Sequence, residues 1–295
     1  MHSSIFFIVN ARIGDQKIAQ LTRALLLHLT TYKHEVHVTA YSGHALKLAK
    51  QAIENGASLI VAVGGDGTVN EVLQALVYSN IPLAIIPTGS GNGLARHCNI
   101  PLHIEKAVEL IIIGHVVPID IGKANNRFFI SNAGVGFDAW VCHQIKQTTS
   151  RGLKMYVKEV IRNYFSYKSD TYTIQADDKT ITEKAYFLNI ANGKEFGYGF
   201  QIAPDASLRD GLLDMILVKK ITPLSGIQFV WDGWNKKINN NKDCIHLRAK
   251  RFILQGPQLN YFQTDGDAHT CNGTCVIEIC KDGVHLLVPI SVENI

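Results

Sequence analysis

Over the first 120 residues, short apolar runs alternate with segments of helical period. The run IFFIVN (5–10) is followed by Ile18, Leu21, Leu25 and Leu29 at spacings of three and four, which predicts a strand and then an amphipathic helix. The pattern recurs with EVHVTAY (35–41), a helix around Ala45 to Ile53, SLIVAV (58–63), a helix from Thr68 to Tyr78, and PLAIIP (82–87). Such alternation predicts a parallel sheet covered by helices. Ligands of these sheets bind beyond the carboxyl ends of the strands, where Asn10, Thr39, the GGDGT turn and PTGSGNG all fall. After residue 120 the rhythm changes to β-rich runs, among them RFFISNAGVG, TYTIQA, AYFLNIANG, LLDMILVKK, CIHLRAKRFIL and VHLLVPI. A second domain, mainly antiparallel β, is expected there, with helical insertions near 139–165 and 223–238.

Composition narrows the class. A chain of 295 residues with 46% apolar content can bury the cores of two ordinary domains. Lys plus Arg exceed Asp plus Glu by 29 to 25, a net +4 that favours anionic partners. No dense basic stripe with interleaved aromatics marks a nucleic-acid surface. Six scattered cysteines, behind an apolar start too short for a secretory signal, read as a reduced, cytosolic protein. Cys271 and Cys275 lack a second ligand pair at zinc-finger spacing and read as structural thiols. No apolar run approaches the roughly 20 residues needed to span a bilayer, so membrane contact is expected to be peripheral.

One segment bears on that contact. Between Lys146 and Lys168 six basic residues (Lys146, Arg151, Lys154, Lys158, Arg162, Lys168) face one acid, Glu159, and apolar residues lie between them. The segment reads either as an interfacial helix on anionic lipid or as a solvated basic face over a buried apolar stripe. Trp231 and Trp234 are likewise interfacial anchors or core.

The candidate chemistry starts at GGDGT, between a strand and a helix. Its backbone amides can form an anion-binding concavity, and the helix adds its positive N-terminus. The turn has neither the GK[ST] ending of a Walker A loop nor a GxGxxG pattern. Asp66 is the odd residue, because an acid beside a phosphate is repulsive unless a divalent cation intervenes or the acid handles a proton. Glu71, one turn on, orients a ribose or braces the loop. The competing reading of the whole motif is a helix-capping turn. PTGSGNGLARH (87–97) adds a second glycine-rich turn with the Thr88 and Ser90 hydroxyls and the Asn92 amide, and two such loops side by side suggest a nucleoside triphosphate.

With GGDGTVNE, PTGSGNGLAR, the segment from IDIG to NAGVGFDA (119–139), GYGFQIAPDASLRDGLLDM (197–215) and TDGD (264–267), the chain resembles the diacylglycerol kinase catalytic-domain family, which includes bacterial lipid kinases and sphingosine kinases. The resemblance runs nearly end to end. It implies an α/β plus all-β architecture. A three-layer nucleotide-binding domain like that of NAD kinases and phosphofructokinases (1–122, with 286–295 rejoining it) precedes a β-sandwich lipid-substrate domain (123–285), with the active site in the cleft between. It implies ATP held by Asn10, Thr39, the turn of Gly65, Asp66, Gly67 and Thr68, and Ser90. It also implies Mg²⁺ on the Asp210 side chain with Ser207 and Leu212 as backbone ligands, although a plain β-turn explains Asp210-Gly211 on sequence alone.

The resemblance places the proton acceptor in the Asp265-Gly266-Asp267 motif, where the family usually reads Asp-Gly-Glu. Asp267 or Asp265 is then the base, with Asp66 a third candidate; an isolated DGD is otherwise a hairpin turn. Gly93 stands where many bacterial members carry an acid, which brings GSGNGLA closer to the sphingosine kinases. Asp120 matches a cleft acid that faces the lipid head group or a water network. The implied activity is ATP-dependent phosphorylation of a lipid hydroxyl. An NAD kinase-like enzyme and a non-catalytic nucleotide- or lipid-binding regulator are the alternatives. Expected partners are a lipid substrate and an anionic membrane surface, with no nucleic acid; a homodimer is allowed.

Overall fold

The computed structural model describes residues 4–146, 153–197, 199–219 and 221–290. The chain divides into two compact units, one running to Asp120 and resuming at Lys281, the other spanning Ile121–Cys280. The first unit contains β1 (Ser4–Val9), α1 (Asp15–His28), β2 (Lys33–Val38), α2 (His44–Glu54), β3 (Leu59–Gly64), α3 (Asp66–Leu76), β4 (Leu83–Pro87), α4 (Gly93–His97), α5 (Ile104–Ile113) and the start of β5 (His115–Ala124).

Its strands lie in the order β2-β1-β3-β4, all parallel, and a returning strand adds Leu286 beside Leu83. Parallel strands joined by helices need both faces covered, and β1, β3 and β4 are accordingly apolar on both sides. Phe7, Val9, Val61, Val63 and Ile86 meet Leu21, Leu25, Ile104 and Val108 of α1 and α5. Phe6, Ile8, Ile60 and Ala62 are buried on the opposite face, where α2 and α3 pack. β2 is the edge strand, and its Val36 and Val38 are exposed. Two details depart from the apolar pattern. Helix α3 starts at Asp66 and ends before Tyr78, which has a positive φ of 58°. Helix α5 occupies IEKAVELIII, whose four consecutive apolar residues at the end, Leu110 to Ile113, blur its period.

The second unit continues with β6 (Arg127–Phe129), β7 (Asn132–Gly136), α6 (Phe137–Lys146), α7 (Leu153–Tyr164), β8 (Asp170–Ala176), β9 (Lys179–Ala185), β10 (Phe187–Ala191), β11 (Glu195–Gly197), β12 (Phe200–Gln201), β13 (Leu213–Val218), α8 (Pro223–Trp234), β14 (Cys244–Ala249), β15 (Arg251–Gln255), β16 (Tyr261–Thr264), β17 (Asp267–Thr270) and β18 (Thr274–Val288). It is an antiparallel β-sandwich. One sheet runs β18-β15-β8-β9, the other β14-β13-β10-β7-β16-β17. Phe129, Val135, Tyr172, Leu188, Met215, Phe252 and Phe262 fill the space between them. The three helices lie on a separate cluster around Phe137, Val141, Tyr186, Phe187 and Ile216. Arg151 and residues 291–295 lie outside the described residues, as do the side chains of Leu153 and Lys154.

Candidate active site

Each glycine of GGDGT faces a different neighbour. A Cβ on Gly64 would collide with the Thr68 side chain, and one on Gly65 would sit 3.0 Å from the Gly89 Cα. The converse contact, from a Cβ on Gly89 to the Gly65 Cα, would be 2.5 Å. The turns after β3 and β4 therefore touch backbone to backbone, and these glycines serve the chain's own packing. Gly67 is different, because a Cβ there meets nothing within 4 Å and the residue is exposed. It lies in the first turn of α3, where free backbone N–H groups and the helix dipole favour an anion. The open face at Gly67 is thus a cradle that fits a phosphate group.

Five polar side chains assigned to the nucleotide by sequence also brace the chain around this cradle. Asp66 accepts hydrogen bonds from the Asn92 and Gly93 amides, at 2.8 and 2.7 Å, and so ties the first turn to the second. A longer side chain at Gly91 would run into its carboxylate, since a Cβ would lie 2.8 Å from Oδ2. Glu71 caps α2 by accepting from the Gly43 and Ala45 amides (2.8 and 3.1 Å). Asn92 takes the left-handed conformation and clasps the Gly89 peptide with both ends of its amide, at 3.0 and 2.9 Å. Asn10 donates to the Thr68 hydroxyl at 2.7 Å and accepts from the Arg12 amide at 2.9 Å. The Thr39 hydroxyl accepts from the Ala11 amide. Asp66, Glu71, Asn10 and Asn92 each brace the chain's own backbone or side chains in this arrangement.

Thr88 gives its amide to Gly64 and its carbonyl to the Lys17 ammonium at 2.6 Å. Ser90 and Gly89 are exposed at the same turn. Lys17 did not stand out in the sequence; its position in the first turn of α1, eight residues beyond the end of β1, was the signal available. Asp120, expected near a head group or water network, is buried and accepts from the Asp282 amide at 2.8 Å, within β18 where Asp282 takes a positive φ of 51°.

In the second unit Asp265 and Gly266 form the two-residue turn between β16 and β17, with φ of 48° and 87°. Positive φ at both positions is the hairpin geometry that Asp-Gly favours. The two acids of the motif then differ. Asp265 accepts from the amides of Ile130, Ser131 and Asn132 at 2.9, 2.8 and 3.1 Å and is fixed as an anchor. Asp267 is exposed, and among the described residues its carboxylate makes no hydrogen bond or ion pair.

Beneath the turn lies a buried polar network. Gln263 accepts from the Gly266 amide and donates to Asn132 Oδ1 and to Asp138 Oδ2, at 2.8, 2.8 and 3.2 Å. Asn189 also donates to Asn132. Burial pushes the Asp138 carboxyl up to about 7, although the Ala139 amide and the Gln263 and Asn189 side chains favour its charge. Next to Asp267 on β17, His269 bonds the Thr264 hydroxyl at 2.8 Å; burial, with Arg127 and Lys146, lowers its pKa to about 4 despite Asp267. Asp138 lies in the NAGVGFDA motif that the sequence singled out without assigning it a role, whereas His269 carries no motif.

The proposed metal loop has a different occupant. Asp210 accepts from the Leu212 amide at 3.0 Å and pairs with the Arg248 guanidinium, which also reaches buried Asp214 at 3.2 Å. His246 adds a contact to Asp214 at 2.8 Å. Ser207 Oγ accepts from the Arg209 amide. Among the described residues no group of three or more His, Cys, Asp or Glu is placed to hold a metal ion. The Asp210 carboxylate is thus paired with a guanidinium, while Ser207 and Leu212, the other two residues the resemblance assigned to Mg²⁺, would offer backbone carbonyls.

Two family models match the chain, the diacylglycerol kinase catalytic domain over residues 4–124 and the YegS C-terminal NAD kinase beta sandwich-like domain over residues 131–284. The chain is 36% identical to a protein of Serratia proteamaculans named "Probable lipid kinase YegS-like", covering 79% of this chain and 77% of that one. It is 30% identical to the diacylglycerol kinase of Bacillus subtilis, covering 80% of each. A solved diacylglycerol kinase structure from Bacillus anthracis superimposes with a TM-score of 0.75 over 98% of both chains at 24% identity, a likeness of fold.

Proposed function

The chain belongs to the diacylglycerol kinase catalytic-domain family, and on that premise we propose that it is a lipid kinase that transfers the γ-phosphoryl group of ATP to a lipid hydroxyl, of a diacylglycerol or a sphingoid base. The observation that carries the reading is the contrast among the glycines: Gly65 and Gly89 are closed against each other, while Gly67 is left open at a helix N-terminus. Such a vacancy supports close approach of a phosphate to the backbone. Lys17, Thr88 and Ser90 border the same pair of turns. Mg²⁺, which phosphoryl transfer ordinarily requires to neutralise phosphate charge, would arrive on the nucleotide.

Proton removal from the lipid hydroxyl needs a carboxylate with free lone pairs. Asp267 meets that requirement, and Asp265 fixes the turn that presents it. Asp66 acts as a positioning residue through the two loops it joins. The test is transfer of labelled γ-phosphate from ATP into a mixed lipid extract, with identification of the labelled product. Label in NAD and none in lipid would overturn the proposal in favour of the NAD kinase alternative, and no transfer to any lipid or to NAD would favour a binding regulator.

A further inference from the structure

Helix α8 carries its large apolar side chains outward. Leu224, Ile227, Trp231 and Trp234 are 80, 71, 63 and 59% exposed, and Val230 borders them. At 3.6 residues per turn these five occupy about one third of the helix circumference. The inward side is separately satisfied. Phe229 packs on Phe187 and Phe200 with ring centroids 5.7 Å apart, and a Cβ on Gly233 would collide with the Phe200 ring. The helix's one acid, Asp232, is on the buried side, where Gln228 and Asn241 each donate to it at 2.7 Å. A capping box of Thr222 and Ser225 fixes the first turn.

The neighbouring helix repeats the arrangement. Tyr156, Val160 and Tyr164 of α7 pack on the same cluster as Phe229, and the Tyr164 hydroxyl donates to the Ile221 carbonyl just before α8. One position along, Val157, Ile161 and Phe165 form a second apolar row that is exposed, beside exposed Lys158 and Arg162. Exposed Lys236, Lys237 and Lys242 follow the end of α8. Of the two sequence readings, a buried stripe does exist on α7, but a separate apolar row faces solvent, and neither Trp231 nor Trp234 is core.

We propose that the outward face of α8, with the exposed row of α7, docks on an anionic phospholipid bilayer. A contiguous apolar face is costly in water. Tryptophan suits the headgroup boundary, having an apolar body and a polar N–H. The lysines after α8 and the basic residues of α7 complement anionic headgroups, and the burial of Asp232 removes the one acid of α8 that would repel them. The proposal deepens the lipid-kinase reading, on which it rests for its purpose, by naming the surface through which a bilayer-resident substrate is reached.

The test uses the full chain and sucrose-loaded vesicles of phosphatidylglycerol with phosphatidylcholine, or of phosphatidylcholine alone, without nucleotide. The wild type should sediment with the anionic vesicles, shift its tryptophan emission to the blue, and be released by salt. Leu224→Glu/Ile227→Glu keeps both tryptophans as reporters and should lose binding by on the order of tenfold or more. Its thermal melt and its transfer to a detergent-dispersed short-chain lipid should match the wild type. Absence of vesicle binding by the wild type, or equal binding by the variant, overturns the proposal. So does a wild-type dimer that the substitutions convert to a monomer, which would assign the face to a second copy. Vesicle binding requires no phosphoryl transfer, so a chain that binds vesicles but phosphorylates nothing would refute the kinase reading alone.

Discussion

Replacing Asp138 by Asn should remove a pH dependence of stability that the buried network creates. The Asp138 carboxyl is raised from its ordinary 3.8 to about 7 by burial. The folded chain then holds a proton that the unfolded chain releases between those values, so stability falls as pH rises through that window and levels off above about pH 8. Roughly three pH units at ~1.4 kcal/mol each make about 4 kcal/mol. His269 acts in the opposite sense, since its pKa is lowered from 6.5 to about 4 and stability is lost as pH falls through that range. Both chains contain His269, so the difference between wild type and Asp138→Asn isolates the carboxyl. Cys142 and Tyr156, which sense its charge, are pushed up by burial and stay neutral throughout. Urea unfolding from pH 4 to pH 8 should show wild type losing about 4 kcal/mol relative to the variant, with about 1.4 kcal/mol of that between pH 6 and 8. Parallel stability curves for the two chains would refute the assignment of the titration to Asp138.

Three further outcomes follow from the geometry. Gly67→Ala should leave the melting temperature unchanged or slightly raised, because Ala favours a helix, yet weaken ATP binding measured by calorimetry; Gly89→Ala, with its Cβ 2.5 Å from the Gly65 Cα, should cost about 1–3 kcal/mol of stability. Asp267→Asn should abolish most lipid phosphorylation with an unchanged melt, whereas Asp265→Asn should lower the melting temperature, since three backbone amides lose a charged acceptor. Chelation with EDTA should leave the nucleotide-free melting temperature unaltered, while Arg248→Ala should lower it by leaving buried Asp214 with His246 as its remaining side-chain partner.

The sequence made the layered plan legible because strand and helix periods alternate cleanly through Pro87 and then give way to β-rich runs. It singled out the two glycine turns for a less specific reason. Glycine signals that backbone must come close to something, and only coordinates reveal that for Gly65 the something is Gly89 while for Gly67 it is open space. The same limit applies to the polar residues. Asp66 reaches Asn92 across 26 positions and Glu71 reaches Gly43 across 28, separations at which no local pattern tells a ligand contact from a brace. Trp231 and Trp234 were ambiguous because helical period says which residues share a face but not which way it points. Arg248 lies 38 positions from Asp210, so sequence showed the loop and hid the cation already on it.

The distribution of carboxylates gives the catalytic assignment its force. A residue that accepts a proton during transfer needs acceptor capacity left over from the fold, and a carboxylate with no other partner has the most. Asp66 and Glu71 are committed to backbone amides at helix starts, Asp120 to the Asp282 amide, Asp265 to three amides, and Asp210 to an arginine and an amide. Each of these acids recurs in motifs that resemble the family's, yet each has a structural reason to be acidic: a carboxylate caps an N-terminus or anchors a turn more strongly than an amide can. Asp267 has no such reason. It is a strand residue in the open, next to a histidine kept neutral and on a turn held from below by Gln263. For an acid with no structural employment, on a turn anchored by three amides to Asp265 and by Gln263, shortening the family's usual glutamate to aspartate matters because the anchoring leaves the turn little freedom to restore the lost reach. Asp267→Glu is therefore expected to alter kcat on a given lipid without changing the melt, and an Asp267→Glu enzyme that matched the wild type in kcat on every lipid tested would remove Asp267 from the reacting atoms.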